Sequence, residues 1–331
     1  MKMRNEYLVT VIVLLYNKAA YVTEALNSIV RQECDFKYKI LIVDDCSTDQ
    51  SPDICRKFQT EYPDIIRIVS NEKNLGVVLN FEKAYNICDT PYIVICDPDD
   101  FYISKHKLQR QVDYLDAHPE CSVVFHRALN YYENTGIKTL SNPNQKRILT
   151  LADMATSNFI TNSTCMFRKL YPEGLPEWYK DVSTNDLPMH LLNALHGDIH
   201  YQPQIMTVYR KEYGESNWAG EDPVKRLFLT LNSRYPLLND PSWPESIRKA
   251  MKLQCLQILI LIQRQINNPN DELYHKASQM SQSLNLNDIE IAEVTKKINK
   301  RNSVEPGILK IIASKSFRLV SRLVPISVFR I

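Results

Sequence analysis

The chain has 331 residues, of which 44% are hydrophobic and 24% charged, the composition of a globular protein large enough to bury its own core. With 7 glycines and 17 prolines, it is neither collagen-like nor a low-complexity linker. Its 40 basic and 38 acidic residues give a formal net charge of +2, which does not favour nucleic-acid binding, so no nucleic-acid partner is expected.

The first predicted element is a strand at residues 9–15, in the apolar run that follows the basic N-terminus. The run is short and β-branched and lacks a small-residue cleavage site, so we interpret it as a buried strand rather than a signal peptide. No apolar run reaches the roughly 18 residues that a transmembrane helix needs, and none is predicted.

Four further β-branched runs follow and alternate with amphipathic helical patterns. The strands are predicted at 39–43, 65–69, 92–96 and 122–125, and the helices near 19–32, 49–60, 77–88 and 105–117. Uniformly apolar strands that alternate with helices predict an α/β fold with a mostly parallel sheet covered on both faces. Such sheets bind ligands at the carboxyl ends of their strands.

Polar residues follow each of the first four strands. They are Tyr16-Asn17, Asp44 to Asp49, Asn71 to Gly76, and Asp97 to Asp100. Each segment has an ordinary explanation as a turn or a helix cap, with Ser47 or Thr48 capping the second helix. Polar groups at all four strand ends together favour a site for a nucleotide, a phosphate or a metal.

The rest of the chain is first irregular and then helical. Strand-like pieces are predicted at 164–167 and 204–209, and helices at 187–195, 224–238, 245–265, 273–284 and 288–299. We therefore predict an α/β domain at 1–220, a helical C-terminal region at 221–304 and a separate tail at 305–331.

The eight cysteines show neither a CxxC pair nor the spacing of zinc ligands. Most of them lie in apolar runs, as Cys96 does. We interpret them as buried thiols in a reducing, cytoplasmic compartment.

Asp97-Pro98-Asp99 is the most informative triplet. Carboxylates two residues apart, directly after a strand, can converge on one divalent cation and the phosphates that it binds. Mg²⁺ and Mn²⁺ prefer such oxygen ligands, and either would make a diphosphate a better leaving group. The triplet alone is a weak pattern, and its position after the fourth strand strengthens it.

Four segments in this order resemble the inverting family 2 glycosyltransferases of GT-A fold: VIVLLYN, ILIVDDCSTD, NLGVVLNFEKAYN and YIVICDPDD. The resemblance covers roughly residues 7–218. It implies a Rossmann-like, mostly parallel sheet flanked by helices, and transfer of a sugar from a nucleotide donor.

The resemblance also implies roles for individual residues. Tyr16 and Asp45, assisted by Asp44, would line the nucleobase pocket, and a carboxylate there favours a uridine nucleotide. Asn17, Asn74 and Gly76 would border the nucleotide, while Lys73 would either meet a phosphate or remain solvated. Asp97 would contact the ribose or the metal, and Asp99 would bind the metal. Asp100 would shape the sugar site or anchor its loop.

The catalytic base is expected at Asp186. In the resembled family a pair of acids opens a helix after the donor half, and the second acid is the base; here the first position is Asn185, a departure. Asp186 would take the proton of an acceptor hydroxyl as that hydroxyl attacks the anomeric carbon, and the configuration would invert. The alternative is that Asp186 only caps the helix that follows.

A second departure lies in the segment from Tyr209 to Ser216. Arg210 would contact the diphosphate or anchor its loop. Glu212 stands where related enzymes often have His, so it is either a metal ligand or part of a surface charge cluster. The QxxRW element of processive synthases is not found, which favours transfer of single sugars.

The tail contains five basic residues between 307 and 331 and no acidic one. Projected on a helix, most apolar residues of 308–324 share one face and most basic residues share the other. This pattern is typical of a helix in the interface of an anionic membrane. The alternative is a terminal helix packed on the core.

Together these features predict a metal-dependent glycosyltransferase that is peripheral on the inner face of the cytoplasmic membrane. It would move one sugar, most simply from a UDP-sugar, to a hydroxyl of a glycan or a lipid-linked acceptor in bacterial polysaccharide synthesis. One alternative is a non-catalytic, membrane-docked module that binds nucleotide sugars. Another is a sugar-phosphate nucleotidylyltransferase, although residues 16–20 lack the Gly-rich loop that such enzymes need.

Overall fold

The computed structural model describes residues 4–142, 144–211 and 222–304. The strands are β1 (Tyr7–Leu15), β2 (Lys37–Asp44), β3 (Ile66–Ser70), β4 (Tyr92–Ile95), β5 (Phe101–Tyr102), β6 (Cys121–Tyr132), β7 (Ile137–Leu140), β8 (Ile148–Leu149), β9 (Met166–Arg168) and β10 (Asp198–Lys211). The helices are α1 (Val22–Val30), α2 (Ser51–Glu61), α3 (Val77–Ile87), α4 (Lys107–Ala117), α5 (Leu151–Thr156), α6 (Asp186–Ala194), α7 (Pro223–Asn232), α8 (Glu245–Ile266), α9 (Glu272–Ser283) and α10 (Asp288–Val304).

One half of the sheet is parallel, in the order β3-β2-β1-β4. In register, Ile12 of β1 lies between Leu41 of β2 and Ile95 of β4, and Ile42 pairs with Ile68. The carboxyl ends of these four strands therefore meet at one edge. This half agrees with the strands predicted from the alternating pattern.

The other half, in the order β9-β6-β10-β5, makes the sheet mixed. β9 pairs antiparallel with both β4 and β6, so β6 runs in the same direction as β4 but is not its neighbour. The sequence pattern did not indicate this insertion, because β9 comes from about 40 residues later in the chain than β6. The architecture is α/β with a helix-flanked central sheet, as predicted.

β1 is buried on both faces of the sheet. Its Val9, Val11 and Val13 contribute to one apolar cluster with residues of α1 and α4, while Ile12 and Leu14 contribute to another with residues of α3 and α6. Alternate side chains of a strand point to opposite faces, so a uniformly apolar strand suits this position. Its buried polar residue is Thr10, whose Oγ1 lies 2.7 Å from Oγ1 of Thr90.

Two predicted elements differ from the structure in type over part of their length, and the strands predicted at 122–125 and 204–209 are longer than expected. The helix predicted at 224–238 ends at Asn232 and is followed by a 3₁₀ turn at Tyr235–Asn239. Pro236 explains the break, since proline lacks the N–H that a continuing α-helix needs and disfavours helical backbone at the residue before it. The strand predicted at 164–167 is a 3₁₀ turn at Asn162–Thr164 followed by β9.

All eight cysteines are free thiols, and six of them are buried. Burial raises the pKa of Cys88, Cys121 and Cys165 to about 12, so these side chains act as small apolar groups at neutral pH.

The chain divides into two units that are discontinuous in sequence. The first consists of Met1–Asn130, Leu140–Lys211 and Asn232–Met251, and the second of Tyr131–Thr139, Glu212–Leu231 and Lys252–Ile331. The contiguous domain limits at 220 and 304 stay a prediction. The predicted tail helix and Glu212 lie outside the described residues.

In the second unit, α8 and α10 are joined by a hydrogen bond of 2.7 Å from Arg264 to Asn299. Asp271 caps α9 by accepting from the N–H of Leu273 at 2.8 Å. Among helices in the described ranges, none has the length and apolar character to cross a bilayer.

Candidate active site

Asn17 joins the loop after β1 to the loop after β2. Its side-chain oxygen accepts from the N–H of Thr48 at 2.8 Å and of Asp49 at 3.3 Å, while its own N–H donates to Oγ of Ser47 at 3.0 Å. Its φ of 50° lies in the left-handed region, which Asn tolerates better than most residues. The structure thus gives Asn17 a scaffolding role, and its contact with a nucleotide stays a prediction.

The expected caps of α2 are not found at Ser47 or Thr48. The helix begins at Ser51, and Gln50 occupies the cap position. Ser47 instead takes part in the loop network, where its N–H donates to the buried carboxylate of Asp44 at 3.1 Å. The cap interpretation of this segment is therefore wrong.

Asp45 organises the loop after β3. Its buried carboxylate accepts from the side chain of Asn71 at 2.8 Å and from the backbone N–H groups of Leu75 at 2.8 Å and Gly76 at 2.9 Å. Gly76 has φ 81° and ψ 160°, a conformation that is nearly exclusive to glycine. Asp45 consequently holds the second and third loops together, whether or not it also contacts a base.

The rim of this edge is open to solvent. The ring of Tyr16 is 46% exposed, which leaves it available for stacking. Asn74 accepts from the N–H of Gly76 at 3.0 Å, and both residues are exposed, as is Lys73. These residues lie on the predicted loops, and their contacts with a nucleotide stay predictions.

The loop after β4 brings three carboxylates to the same edge. Asp99 accepts an ion-paired hydrogen bond from Nζ of Lys18 at 2.5 Å. The backbone N–H of Asp97 donates to Oγ of Ser163 at 3.0 Å. Asp100 is buried and accepts from the backbone N–H of Arg210 at 3.0 Å. Its other oxygen, Oδ2, has no hydrogen-bond partner within the described residues.

The electrostatics of this cluster favour a cation. Burial, followed by the charges of Asp99 and Asp186, raises the pKa of Asp97 to about 7. Burial, followed by Asp97 and Asp99, raises the pKa of Asp100 well above its ordinary value. A divalent cation among these oxygens would relieve the repulsion between them, and oxygen is the ligand that Mg²⁺ and Mn²⁺ prefer. The residues present therefore fit the predicted metal.

Asp186 is the first residue of α6 and belongs to the same cluster, since its charge acts on Asp97. Its Oδ2 accepts from Nδ2 of Asn158 at 2.8 Å, and Asn158 is itself held by a 3.3 Å bond from the N–H of Ile160 to Oδ1. The N-cap residue of α6, Asn185, makes no side-chain capping hydrogen bond. The carboxylate of Asp186 is thus directed by a neighbouring amide rather than by its own helix.

His190 lies one turn further along α6 and is buried. Burial lowers its pKa to about 4, despite the opposing charge of Asp186. The imidazole is therefore neutral at neutral pH and does not act as a counter-charge to the base.

The guanidinium of Arg210 contacts two aromatic rings and an acid. Its guanidinium lies 5.2 Å from the ring centroid of Tyr21 and 5.1 Å from that of Phe101, and it forms an ion pair with Glu24. These contacts join Arg210 to the start of α1 and to β5, and its predicted role as a loop anchor stays a prediction. Its contact with the diphosphate stays a prediction.

Sequence reasoning missed three residues of the site. Lys18 directly follows a predicted loop residue, and that position was its only signal. Asn158 lies in an irregular segment without any recognisable pattern. Tyr209 lies near the acid cluster. Burial raises the pKa of its hydroxyl, and the charges of Asp100, Asp97, Asp99 and Asp186 raise it further.

Comparisons with known proteins bear on the family and the fold of the chain. The profile of the family described as "Glycosyl transferase family 2" matches residues 10–174. An uncharacterised protein of Mycobacterium tuberculosis is 32% identical over 225 residues, which are 66% of this chain and 63% of that protein. The match therefore spans less than two thirds of this curated relative.

Two similar proteins have solved structures. Poly(ribitol-phosphate) beta-N-acetylglucosaminyltransferase TarS of Staphylococcus aureus is 33% identical over 113 residues, which are 33% of this chain and 19% of TarS. The structure of TarS 1–349 with UDP-GlcNAc has a TM-score of 0.58 at 17% identity and covers 88% of this chain and 92% of that one.

The mannosyltransferase PcManGT of Pyrobaculum calidifontis, in complex with GDP-Man and Mn²⁺, has a TM-score of 0.57 at 19% identity and covers 88% of this chain and 86% of that one. These structural likenesses show the fold, and the profile match covers just under half of the chain. The chain carries a glycosyl transferase family 2 domain at residues 10–174, an α/β domain with a GT-A-like fold, ahead of a helical C-terminal region.

Proposed function

We propose that the chain is an inverting glycosyltransferase that moves one sugar from a nucleotide donor to an acceptor hydroxyl, with Asp186 as the base. The observation that carries the proposal is the single cluster formed by Asp97, Asp99, Asp100 and Asp186 at the carboxyl edge of the sheet. Three of these acids follow one strand and the fourth begins a helix about 90 residues later, so the proposed donor and acceptor sides would meet at this cluster.

Asp186 would accept the proton of the acceptor hydroxyl at Oδ1. Its other oxygen, Oδ2, is engaged by Asn158 at 2.8 Å, so the amide fixes the direction of the carboxylate. Removal of that proton makes the hydroxyl oxygen a better nucleophile toward the anomeric carbon. Attack from the face opposite the leaving diphosphate would invert the configuration and would need no covalent enzyme intermediate.

Asp97 and Asp99 would hold Mn²⁺ or Mg²⁺, with Glu212 as a further ligand. When bound, the metal would offset the charge that develops on the leaving diphosphate. The solved mannosyltransferase of similar fold contains Mn²⁺, which supports a divalent ion.

A uridine nucleotide is the proposed donor half. Tyr16 would stack on the base, and Oδ2 of Asp45, which accepts one hydrogen bond from Gly76, would accept a second from a uracil N–H. The neighbouring structures contain UDP-GlcNAc in one case and GDP-Man in another, so the donor panel must include both bases.

The proposed acceptor is a bacterial surface glycan or a lipid-linked saccharide. TarS is named for transfer to poly(ribitol-phosphate), which supports a polyhydroxyl polymer as one class to test. The basic tail at 305–331 would place the enzyme on the anionic inner face of the cytoplasmic membrane.

The test is a panel of UDP- and GDP-sugars with Mn²⁺, in which released nucleotide reports slow donor hydrolysis or transfer. Asp186→Asn is expected to abolish turnover while the donor still raises the melting temperature, because a ligand that binds only the folded state stabilises it. Asp181→Asn is the matched control, since Asp181 is exposed and lies five residues earlier. Full turnover in Asp186→Asn would remove Asp186 as the base.

The second candidate is a nucleotide-sugar-binding module without catalysis. The observation that favours it is Asn185, which stands where the resembled family has its first acid. Donor-dependent stabilisation without turnover in any donor, acceptor and metal combination would select this candidate.

A further inference from the structure

Three side chains that could ligate a metal lie together far from the carboxylate cluster. They are His118, Glu120 and His200, and one ligating atom of each lies within 4.8 Å of the other two. His118 is the C-cap residue of α4, Glu120 immediately precedes β6, and His200 is the third residue of β10. We name these three residues the His-Glu-His cluster.

The cluster and the candidate active site lie at opposite ends of the strands of the sheet. β4 and β6 run in the same direction, because both pair antiparallel with β9. Asp97 follows the carboxyl end of β4, whereas Glu120 precedes the amino end of β6. The His-Glu-His cluster is therefore separate from the donor and acceptor sites.

His200 is the buried member, with 2% of its surface exposed. Its Nδ1 lies 3.0 Å from the hydroxyl of Tyr114, while Nε2 is buried and has no hydrogen-bond partner among the residues that the structure describes. A buried polar atom without a partner is costly, and native proteins rarely leave one. This imidazole therefore has capacity for one more bond.

Tyr114 gives His200 the environment of a metal ligand. Metal-bound histidines usually use their second nitrogen in a hydrogen bond that fixes the ring and its tautomer.

The other two ligands are already close to each other. Nδ1 of His118 lies 3.0 Å from Oε1 of Glu120, and the rings of His118 and His200 have centroids 5.6 Å apart. Ligands about 2.1 Å from a tetrahedral zinc lie roughly 3.4 Å from one another, so small rotations on the exposed side would close the set.

The backbone under the cluster is fixed. The guanidinium of Arg168 donates to the carbonyl oxygens of Leu115 at 2.7 Å, His118 at 3.2 Å and Cys121 at 2.8 Å, and the N–H of Asp198 donates to the carbonyl of Glu120 at 2.9 Å. The loop that carries two of the three ligands is thus held in place before any ion binds.

We propose that the His-Glu-His cluster is a zinc site that joins the end of α4 to the start of β10. Two imidazoles and one carboxylate are a ligand set typical of Zn²⁺, with water in the fourth position. Water in the fourth position makes this an open site. Because the site lies away from the carboxylate cluster, we infer that zinc here stabilises the fold and takes no part in sugar transfer.

The test measures Zn²⁺ binding to the full chain without a histidine tag, in an Asp99→Asn background that weakens metal binding at the active site. Isothermal titration is expected to show one Zn²⁺ per chain and a higher melting temperature with Zn²⁺. Co²⁺ in place of Zn²⁺ is expected to give the visible absorption of a low-coordinate ion. His118→Gln should abolish this binding, and because His118 is only partly buried, that variant is expected to fold.

Tyr114→Phe is a milder variant, because it removes only the hydroxyl that contacts Nδ1 of His200. It should weaken Zn²⁺ affinity about 10- to 100-fold. His196→Gln is the control, since His196 is exposed and pairs with Tyr171 outside the cluster. Failure to bind Zn²⁺ in the Asp99→Asn protein, or equal binding by His118→Gln, would overturn the proposal. Neither result bears on Asp186 or on sugar transfer.

Discussion

Nζ of Lys18 lies 2.5 Å from Oδ2 of Asp99, so a residue just after β1 is ion-paired with a proposed metal ligand just after β4. The pair is partly shielded, with 29% and 20% of the two side chains exposed. It joins two loops that are about 80 residues apart in the chain. Lys18 thereby supplies positive charge to the cluster of acids.

Lys18→Met is expected to lower the free energy of unfolding in EDTA by about 1 kcal/mol, because Asp99 loses its partner at a partly buried position. The stabilisation by Mn²⁺ should become larger than in the wild type, since the ion then meets more uncompensated negative charge. Denaturation in urea with and without Mn²⁺ measures both effects. Lys57→Met, at an exposed position of α2, is the control. An unchanged response to Mn²⁺ would contradict this account of Lys18.

The acid cluster should make the metal-free protein lose stability as pH rises. The pKa of Asp97 is about 7 in the folded protein and near 3.9 in the unfolded chain, so between these values the folded state holds a proton that the unfolded state has released. The contribution of Asp97 to the free energy of unfolding is fully present below about pH 4 and is lost as pH rises through about 7. Asp100 acts in the same direction.

Buried histidines act oppositely, because the lowered pKa of His190 adds stability as pH rises from about 4 toward 6.5. The informative quantity is therefore the difference between wild type and Asp97→Asn, measured by urea denaturation in EDTA. We expect Asp97→Asn to gain on the order of 1–3 kcal/mol over the wild type between about pH 5 and pH 8. Asp64→Asn, at an exposed position, should show no such gain. Parallel pH profiles for all three proteins would refute the prediction.

Asn158 is expected to act as a positioning residue for the base. Asn158→Ala removes the 2.8 Å bond that directs the carboxylate of Asp186, and kcat should fall about tenfold while KM for the donor is unchanged. Steady-state kinetics with the best donor measure this split. Asn144→Ala, also exposed, is the control. A rise in donor KM at constant kcat would place Asn158 on the donor side instead.

Gly76 should not tolerate a side chain, although there is space for one. A Cβ added there would meet no atom within 4 Å, so the cost arises from its φ of 81° and ψ of 160°. Gly76→Ala is expected to lose about 1–3 kcal/mol of unfolding free energy through backbone strain. Val77→Ala, at the next and half-exposed position, is the control for helix α3. Equal stability of Gly76→Ala and the wild type would mean that the loop relaxes freely.

Much of the parallel half was predictable, because burial on both faces leaves an unmistakable apolar run. β2 and β4 were predicted to within two residues at each end, and their polar ends at Asp44 and Asp97 followed directly. The role of Asp186 was predicted from the resemblance to a family motif. The structure shows in addition that the side-chain amide of Asn158 donates to its carboxylate. The nucleotide contacts predicted for Tyr16 and Asn74 remain untested.

The antiparallel half was not predictable from pattern alone. β9 has only three residues and inserts between β4 and β6, so its place in the sheet depends on pairing rather than on its own periodicity. Asn17 and Asp45 looked like ligand contacts, and most of their hydrogen-bonding capacity is used on neighbouring loops. A single sequence does not distinguish a residue that builds a site from one that touches its ligand.

The register of β1, which lies between β2 and β4, depends on a small number of polar contacts. A strand that is apolar on both faces would bury nearly the same groups after sliding by one residue, and such a slide would carry Tyr16 and Asn17 about 3.3 Å along the strand. The hydroxyl pair of Thr10 and Thr90, together with the bond from Thr48 to Asn17, makes one alignment preferable to its neighbours. The spacing between the first loop and the acids after β4 is thus set from inside the sheet, at a residue that touches no substrate.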